Sequence, residues 1–82
     1  MQIEILTPEG QVFTGEGDSI SLQGVDGQFQ VLNRHAPLIA ALAPGQIRIK
    51  ASSGETIFNT KGGFIEVLRN NVSVLVEGAE AA

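Results

Sequence analysis

The sequence lacks cysteine, tryptophan and tyrosine, and it has one histidine among its 82 residues. Without cysteine there are no disulfides, thiolate metal ligands or cysteine nucleophiles, and the missing disulfide staples favour a cytoplasmic location. Four phenylalanines are the only aromatic residues, so bases and sugars have little surface to stack on. One histidine also offers little for a histidine metal cluster or a Ser-His-Asp triad.

Long hydrophobic runs and basic stripes are missing as well. The longest stretch without a polar residue, Ala36 to Pro44, is far too short to span a bilayer, and no secretory signal is visible. The formal net charge is −4, and the first 33 residues contain five acidic residues and no Lys or Arg. We therefore expect no nucleic-acid binding, and we expect membrane contact only through a partner.

What the sequence does contain is a series of short alternating segments separated by turn residues. Thr7 to Gly10 and Gly24 to Gly27 have turn composition, and Asn70-Asn71 is interpreted as a two-residue hairpin turn. Glu77 to Ala82 is expected to be a frayed polar tail. About nine strands in one domain predict an all-β antiparallel sandwich or barrel.

The segment from Leu38 to Ala43 departs from this alternation because it is apolar at every position. It is too short for a stable helix between two prolines, so it is interpreted as a strand that must hide both faces. Leu38, Ala40 and Leu42 would face one side, and the intervening residues the other. The pattern leaves two interpretations open: a loop covers the outer face, or a partner protein does.

Three short motifs are explained better by structure than by chemistry. His35, before Ala-Pro, is interpreted as a corner residue or a partner contact rather than a catalyst. Thr60 to Gly63 lacks the spacing of a phosphate loop and is interpreted as a glycine bend or bulge. Asp26 between Gly24 and Gly27 lacks the EF-hand spacing, and a β-turn explains it. We therefore predict no catalytic, cofactor or metal site.

Several of these segments together resemble a known family. The motifs are TPEG at Thr7–Gly10, VDGQFQVL at Val25–Leu32, HAPLIAALAPGQIRI at His35–Ile49, GGFIEV at Gly62–Val67 and VSVLV at Val72–Val76. Their combination and spacing are similar to the N-terminal domain of the epsilon subunit of bacterial and chloroplast F-type ATP synthase. The resemblance covers residues 2 to about 78.

The resemblance implies a ten-stranded antiparallel β-sandwich over residues 1–78, followed by a short polar tail at 79–82. It also implies a non-catalytic rotor subunit of the central stalk, which binds the gamma subunit and the c-ring and couples proton-driven rotation to ATP synthesis. The implied gamma-facing residues are Thr7, His35, Leu38, Ala40 and Leu42. The implied c-ring-facing residues are Val25, Asp26, Gly27 and Gln28.

Further implications concern the assembly and its location. The alpha and beta catalytic subunits would be indirect partners, and the subunit would be peripheral, on the cytoplasmic face of a bacterial inner membrane or the stromal face of a thylakoid. On this interpretation, Ala40→Arg is expected to abolish gamma binding and to leave the fold intact.

The chain departs from the family pattern at three places. Gln28 replaces the acidic residue that the family often has in the c-ring turn. Gln30 and Asn33-Arg34 replace a glycine and a Pro-Gly pair, so that a positive charge lies beside His35. The sequence ends at Ala82 without the C-terminal helical hairpin, so inhibition of hydrolysis and ATP binding by that hairpin are not carried over.

Two other functional classes remain as alternatives. One is a stand-alone β-sandwich that binds a small ligand or carbohydrate, which the shortage of aromatic residues disfavours. The other is a small hydrolase, which would need a nucleophile, base and orienting group around a single histidine.

Overall fold

A computed structural model of the chain describes all 82 residues and contains ten β-strands and no helix. No helix long and apolar enough to cross a membrane is therefore present. The strands are β1 Gln2–Thr7, β2 Gly10–Glu16, β3 Ser19–Gly24, β4 Gly27–Leu32, β5 Leu38–Leu42, β6 Gly45–Ala51, β7 Gly54–Thr60, β8 Gly63–Leu68, β9 Asn71–Val76 and β10 Ala79–Ala81.

The C-terminal residues form a strand, so the expectation of a frayed tail at Glu77–Ala82 is wrong. Strand β10 pairs in antiparallel register with residues 58–60 of β7, and the amide of Ala82 donates a hydrogen bond to the Ile57 carbonyl at 3.0 Å. The short polar segment gave no alternating pattern by which a strand could be predicted. Its backbone amides are nevertheless satisfied by the free edge of β7.

The hairpin turn between β8 and β9 lies one residue earlier than predicted. Leu68 pairs with Asn71, so the two turn residues are Arg69 and Asn70, and both have positive φ, 52° and 62°. Two consecutive residues of positive φ are the geometry of the type I′ turns that fit twisted hairpins. Asn71 instead starts β9.

All ten strands belong to one continuous sheet that closes over a shared core. The order is β10-β7-β6-β3-β5-β8-β9-β1-β2, and β4 pairs with the remaining side of β3. The ladder between β3 and β5 consists of the single pair Gly24–Leu42. This junction divides the sheet into a β1 layer (β5, β8, β9, β1, β2) and a β3 layer (β4, β3, β6, β7, β10).

The strand pairs are antiparallel, as predicted, except for β1 and β9, which pair in parallel from Gln2–Asn71 to Leu6–Leu75. A parallel neighbour needs a long connection, and here almost the whole chain separates the two strands. No pattern within either strand signals this long-range pairing.

The two layers share one core of fifteen buried side chains, dominated by isoleucine, valine and leucine. Ile20 and Leu22 from the β3 layer and Ile3, Ile5 and Ile65 from the β1 layer are fully buried. Each comes from the inward phase of an alternating strand. Phe13 and Phe58 close the open side with an edge-to-face contact, ring centroids 6.0 Å apart.

Candidate interaction surfaces

Strand β5 is apolar throughout, but its two faces have different surroundings. Leu42 is buried, and the side chains of Leu38 and Ala40 pack against the core. Ile39, on the opposite phase, is 74% exposed. Neither a loop nor a strand covers this outer face, so the first of the two interpretations, a covering loop, is wrong, and the second, a covering partner, stays a prediction.

This orientation changes the roles of the residues that the sequence predicted to face gamma. Leu42 belongs to the core, and Leu38 and Ala40 line it, so their side chains point away from any partner on the outer face. We therefore replace the expectation that Ala40→Arg leaves the fold intact by the opposite prediction, because an arginine there would enter the core. The outward side chains of the same strand are Ile39 and Ala41.

Four strands of the β1 layer contribute an outward apolar row beside Ile39, in which Ala41 and Leu6 are half-buried and Phe64 and Leu75 are exposed. Ala41 pairs with Phe64, Phe64 with Leu75, and Leu75 with Leu6. Phe64 is 58% and Leu75 51% exposed, although Ile65 beside the first and Val74 and Val76 beside the second are buried. We call Leu6, Ile39, Ala41, Phe64 and Leu75 the apolar surface. Contiguous exposed apolar side chains of this kind usually mark a binding interface.

The sequence does contain a signal for this surface, which the sequence analysis missed. In β8 the buried positions are Ile65 and Val67, so Phe64 falls on the outward phase, where a polar residue is expected. In β9 the buried positions are Val72, Val74 and Val76, and Leu75 is likewise outward. A large apolar residue on the solvent phase of two paired strands is the informative pattern.

Thr7 and His35 do not lie together with these residues. Thr7 ends β1, where its hydroxyl donates to the Gly10 carbonyl at 3.2 Å and accepts from the Glu9 amide. His35 follows β4 at the end of the layer that contains Leu38, whereas Thr7 lies at the end that contains Gly63 and Val76. The predicted gamma set is therefore dispersed over both ends and the interior.

His35 is exposed, and its ring has a local role. Its Nδ1 donates a hydrogen bond to the Ala36 carbonyl at 2.7 Å, and its amide donates to the Leu32 carbonyl at 3.1 Å. These bonds shape the corner before Pro37. No group of three or more acidic or histidine side chains is arranged to hold a metal ion.

The predicted c-ring residues form the exposed β3–β4 turn. Gly24 pairs with Gly27, so Val25 and Asp26 are the two turn residues, as the turn composition predicted. Val25 is 60% exposed, and Asp26, Gly27 and Gln28 are also exposed. A side chain at position 24 would place its Cβ 2.8 Å from the Gly27 carbonyl oxygen, which explains the glycine there.

Backbone hydrogen bonds connect this turn to β5. The Val25 amide donates to the Ala41 carbonyl at 3.1 Å, and the Ala43 amide donates to the Gln23 carbonyl at 3.0 Å. Val25, Phe29, Ile39 and Ala41 also line a shared depression of about 290 Å³. The turn and the apolar surface are thus adjacent and held in fixed relation.

The other clefts are more polar and show no arrangement of catalytic groups. The cleft beside Glu9 and Lys61 has one hydrophobic residue among eight, whereas five of the eight residues around the shared depression are hydrophobic. The bend predicted at Thr60–Gly63 is present. A Cβ at position 63 would overlap the Leu75 carbonyl oxygen, so the close approach of β9 requires glycine there.

These features define a β-sandwich domain whose distinctive parts are two adjoining surfaces. Its residues 1–82 match the family "ATP synthase, Delta/Epsilon chain, beta-sandwich domain" along the whole chain. The chain belongs to this family, as the sequence motifs predicted.

Curated relatives agree with the family assignment. The chain is 38% identical over 80 residues to the ATP synthase epsilon chain of Halalkalibacterium halodurans, covering 98% of this chain and 60% of that one. It is 42% identical over 77 residues to the ATP synthase epsilon chain of Chlorobium limicola, covering 93% of this chain and 88% of that one. The chain thus spans about 60% of the first relative, and the family also includes shorter members.

Solved structures support the fold. A chain in the cryo-EM structure of Euglena gracilis mitochondrial ATP synthase, OSCP/F1/c-ring in rotational state 1, superposes with a TM-score of 0.89 at 21% identity, covering 96% of this chain and 51% of that one. A chain in the cryo-EM structure of the Tetrahymena thermophila mitochondrial ATP synthase central stalk and c-ring superposes with a TM-score of 0.83 at 20% identity. The match covers 98% of this chain and 65% of that one.

Proposed function

We propose that this protein is a non-catalytic central-stalk subunit of a proton-translocating F-type ATP synthase. It binds the gamma subunit and the c-ring, and it couples ion-driven rotation to ATP synthesis in the alpha and beta subunits. Family membership supports this assignment, because the curated relatives are ATP synthase epsilon chains. The observation that carries it is an uncovered apolar surface beside an exposed turn.

The gamma-binding site in this proposal is the apolar surface. It contains the largest exposed hydrophobic side chains of the β1 layer, led by Ile39 and Phe64. Their burial by a partner would stabilise the complex by about 25 cal/mol for each Å² of apolar area removed from water, before the entropic and desolvation costs of association are subtracted. Leu38, Ala40 and Leu42 support this surface from beneath, and Thr7 and His35 lie at opposite ends of the layer.

The c-ring site is the β3–β4 turn, Val25 to Gln28. All four residues are exposed, and Asp26 is the only carboxylate among them. With Gln28 in place of an acidic residue, Asp26 supplies whatever negative charge the turn offers to a loop of the c-ring. The exposed Val25 adds an apolar contact at the tip.

The proposed role is mechanical, and the backbone connection between the two sites suits it. Force applied at the turn reaches β5 through the Val25–Ala41 and Ala43–Gln23 hydrogen bonds and the Gly24–Leu42 pair. Behind this junction lies a close-packed core, which transmits strain with little compliance. The catalytic chemistry belongs to other subunits of the complex. On this proposal the protein is peripheral, on the cytoplasmic or stromal face of the membrane.

The test is the affinity for the gamma subunit from the same organism, measured by biolayer interferometry. We expect Ile39→Arg to weaken binding by at least about 30-fold, the effect of a hot spot of about 2 kcal/mol. Leu32→Arg is the matched control, because Leu32 is 54% exposed but lies on β4 in the other layer.

Two outcomes would count against the proposal. If the unchanged chain does not bind gamma, the family role does not hold for this protein. If Ile39→Arg and Leu32→Arg weaken binding equally while both keep the melting temperature, the apolar surface is not the gamma site.

A further inference from the structure

The strands that form the apolar surface carry charge of only one sign, and the basic residues Lys61 and Arg69 lie just beyond the two ends of β8. The strands of the β1 layer contain three glutamates, Glu4, Glu16 and Glu66, and no lysine or arginine, whereas the strands of the β3 layer contain both signs. Glu16 lies 3.7 Å from the Met1 amino group. Neither Glu4 nor Glu66 has a cationic partner within the chain, although Glu4 accepts a hydrogen bond from the Gln11 side chain at 2.8 Å. Both carboxylates can therefore pair with a cation of a binding partner.

These two carboxylates lie in one row beside the apolar one. Ile39 pairs with Glu66, Glu66 with Ser73, and Ser73 with Glu4. Two strand spacings therefore separate Glu66 from Glu4, about 10 Å at about 4.8 Å per strand. Rows on the same face are two residues apart, so this acidic row lies about 7 Å from the row of Ala41, Phe64, Leu75 and Leu6.

At one end of the surface is the shared depression between β5 and the β3–β4 turn. Its walls include Val25 on one side and Ile39 and Ala41 on the other, and Phe29 contributes to its lining while packing against the core. The hydrogen bond from Val25 to Ala41 holds the walls together. A depression of about 290 Å³, with five hydrophobic residues and Asp26 among the eight that line it, has room for one large hydrophobic side chain.

We infer that the gamma segment docking here has a defined chemistry: one large apolar side chain that enters the depression, and basic side chains that face Glu66 and Glu4. This inference rests on the proposed function and adds to it the partner's anchor and charge. The anchor acts as a central hot spot, because a well-packed, desolvated pocket concentrates binding energy. The charge pairs set the orientation and speed of association more than the final affinity.

The anchor is tested with Ala41→Leu, which adds apolar area to the surface but fills the depression. We expect gamma binding to weaken about 10-fold or more, because the anchor is excluded. Gln30→Leu, which makes a similar addition on the β3 layer, should change affinity less than about 2-fold. If Ala41→Leu does not fold, Val25→Ala, which removes one wall, should weaken binding by a smaller factor.

The charge is tested with Glu66→Lys, measured by association rate at two salt concentrations. We expect the association rate to fall about 10-fold at low salt and by a smaller factor at high salt. Salt weakens interactions between exposed charges, and the screening length is about 8 Å at physiological ionic strength. Glu80→Lys on β10 makes the same change in net charge in the other layer and should leave the rate within about 2-fold.

The results separate the two proposals. Unchanged affinity for Ala41→Leu or for Val25→Ala would overturn the anchor, and an unchanged association rate for Glu66→Lys would overturn the charge complement. In either case Ile39→Arg would still report whether gamma uses this surface at all. Loss of c-ring binding by Ala41→Leu, with gamma binding unchanged, would assign the depression to the c-ring and overturn the inference.

Discussion

At the scale of single residues, neighbours in one strand have unlike roles. Ile39 and Ala40 are adjacent in an apolar segment, yet the first is mostly exposed and the second packs against the core. A strand turns successive side chains to opposite faces, so one step along the chain changes the environment completely. The same substitution at these two positions should therefore have different consequences.

We predict that Ala40→Arg destabilises the fold by about 2–4 kcal/mol, because a large charged side chain would enter a packed apolar region. Ile39→Arg should change the free energy of unfolding by less than about 0.5 kcal/mol, as exposed substitutions usually do. Urea denaturation followed by circular dichroism measures both. Equal effects would mean that the two faces of β5 are assigned incorrectly.

A second residue-scale prediction concerns the glycine at the start of β8. Gly63→Ala should destabilise the protein by more than about 2 kcal/mol, because the added Cβ would overlap the Leu75 carbonyl oxygen and force β8 from β9. Gly78→Ala is the control: its Cβ would meet only the Lys61 side chain, at 3.6 Å. Thermal unfolding of the two variants distinguishes them, and similar melting temperatures would refute the close approach.

At the scale of elements, the β3–β4 turn lies against β5 and so adjoins the apolar surface. Its tip is free, while its base is hydrogen-bonded to β5. A change at Asp26 should therefore affect what the turn contacts and leave the fold and the apolar surface unchanged, whereas Val25 also lines the shared depression beside β5.

We predict that Asp26→Ala weakens binding to the isolated c-ring by about 3- to 10-fold, because the turn loses its only carboxylate. Affinity for gamma should remain within about 2-fold. Binding to c-ring in detergent or nanodiscs, with Asp26→Glu as the charge-preserving control, measures the effect. Equal binding by Asp26→Ala and the unchanged chain would show that a neutral contact suffices.

At the scale of the whole molecule, the two layers depend on one another. Only the Gly24–Leu42 pair joins them in the sheet ladder, but their inward side chains form a single core. Neither layer has a buried face without the other. The chain should therefore behave as one cooperative unit.

This cooperativity is testable with a cavity in one layer. Ile65→Ala in β8 should destabilise the whole protein by about 2–5 kcal/mol. The methyl resonances of Ile20 in β3 and Val74 in β9 should disappear in the same denaturant transition, followed by NMR. If Ile20 kept its native signal after Val74 had unfolded, the layers would be independent.

Much of the fold could be predicted from local sequence. Alternation, together with the apolar segment between two prolines, located nine strands, and glycine, proline and asparagine placed their turns to within a residue, because these signals depend only on nearby residues. Strand β10 could not be predicted, since Ala79–Ala81 gains its structure from the edge of β7. The parallel pairing of β1 with β9 could not be predicted either, because it depends on contacts between residues far apart in the sequence.

The two interaction surfaces could be predicted from the sequence only in part. The sequence by itself determined that the β3–β4 turn is exposed and that Leu38–Ala43 contains more apolar residues than one buried face requires. Which phase of that segment faces outward was decided by the tertiary structure, because both phases are apolar and only packing against the core distinguishes them. Tertiary pairing also brought Ile39, Phe64 and Leu75 together, since hydrogen bonds between distant strands set their register.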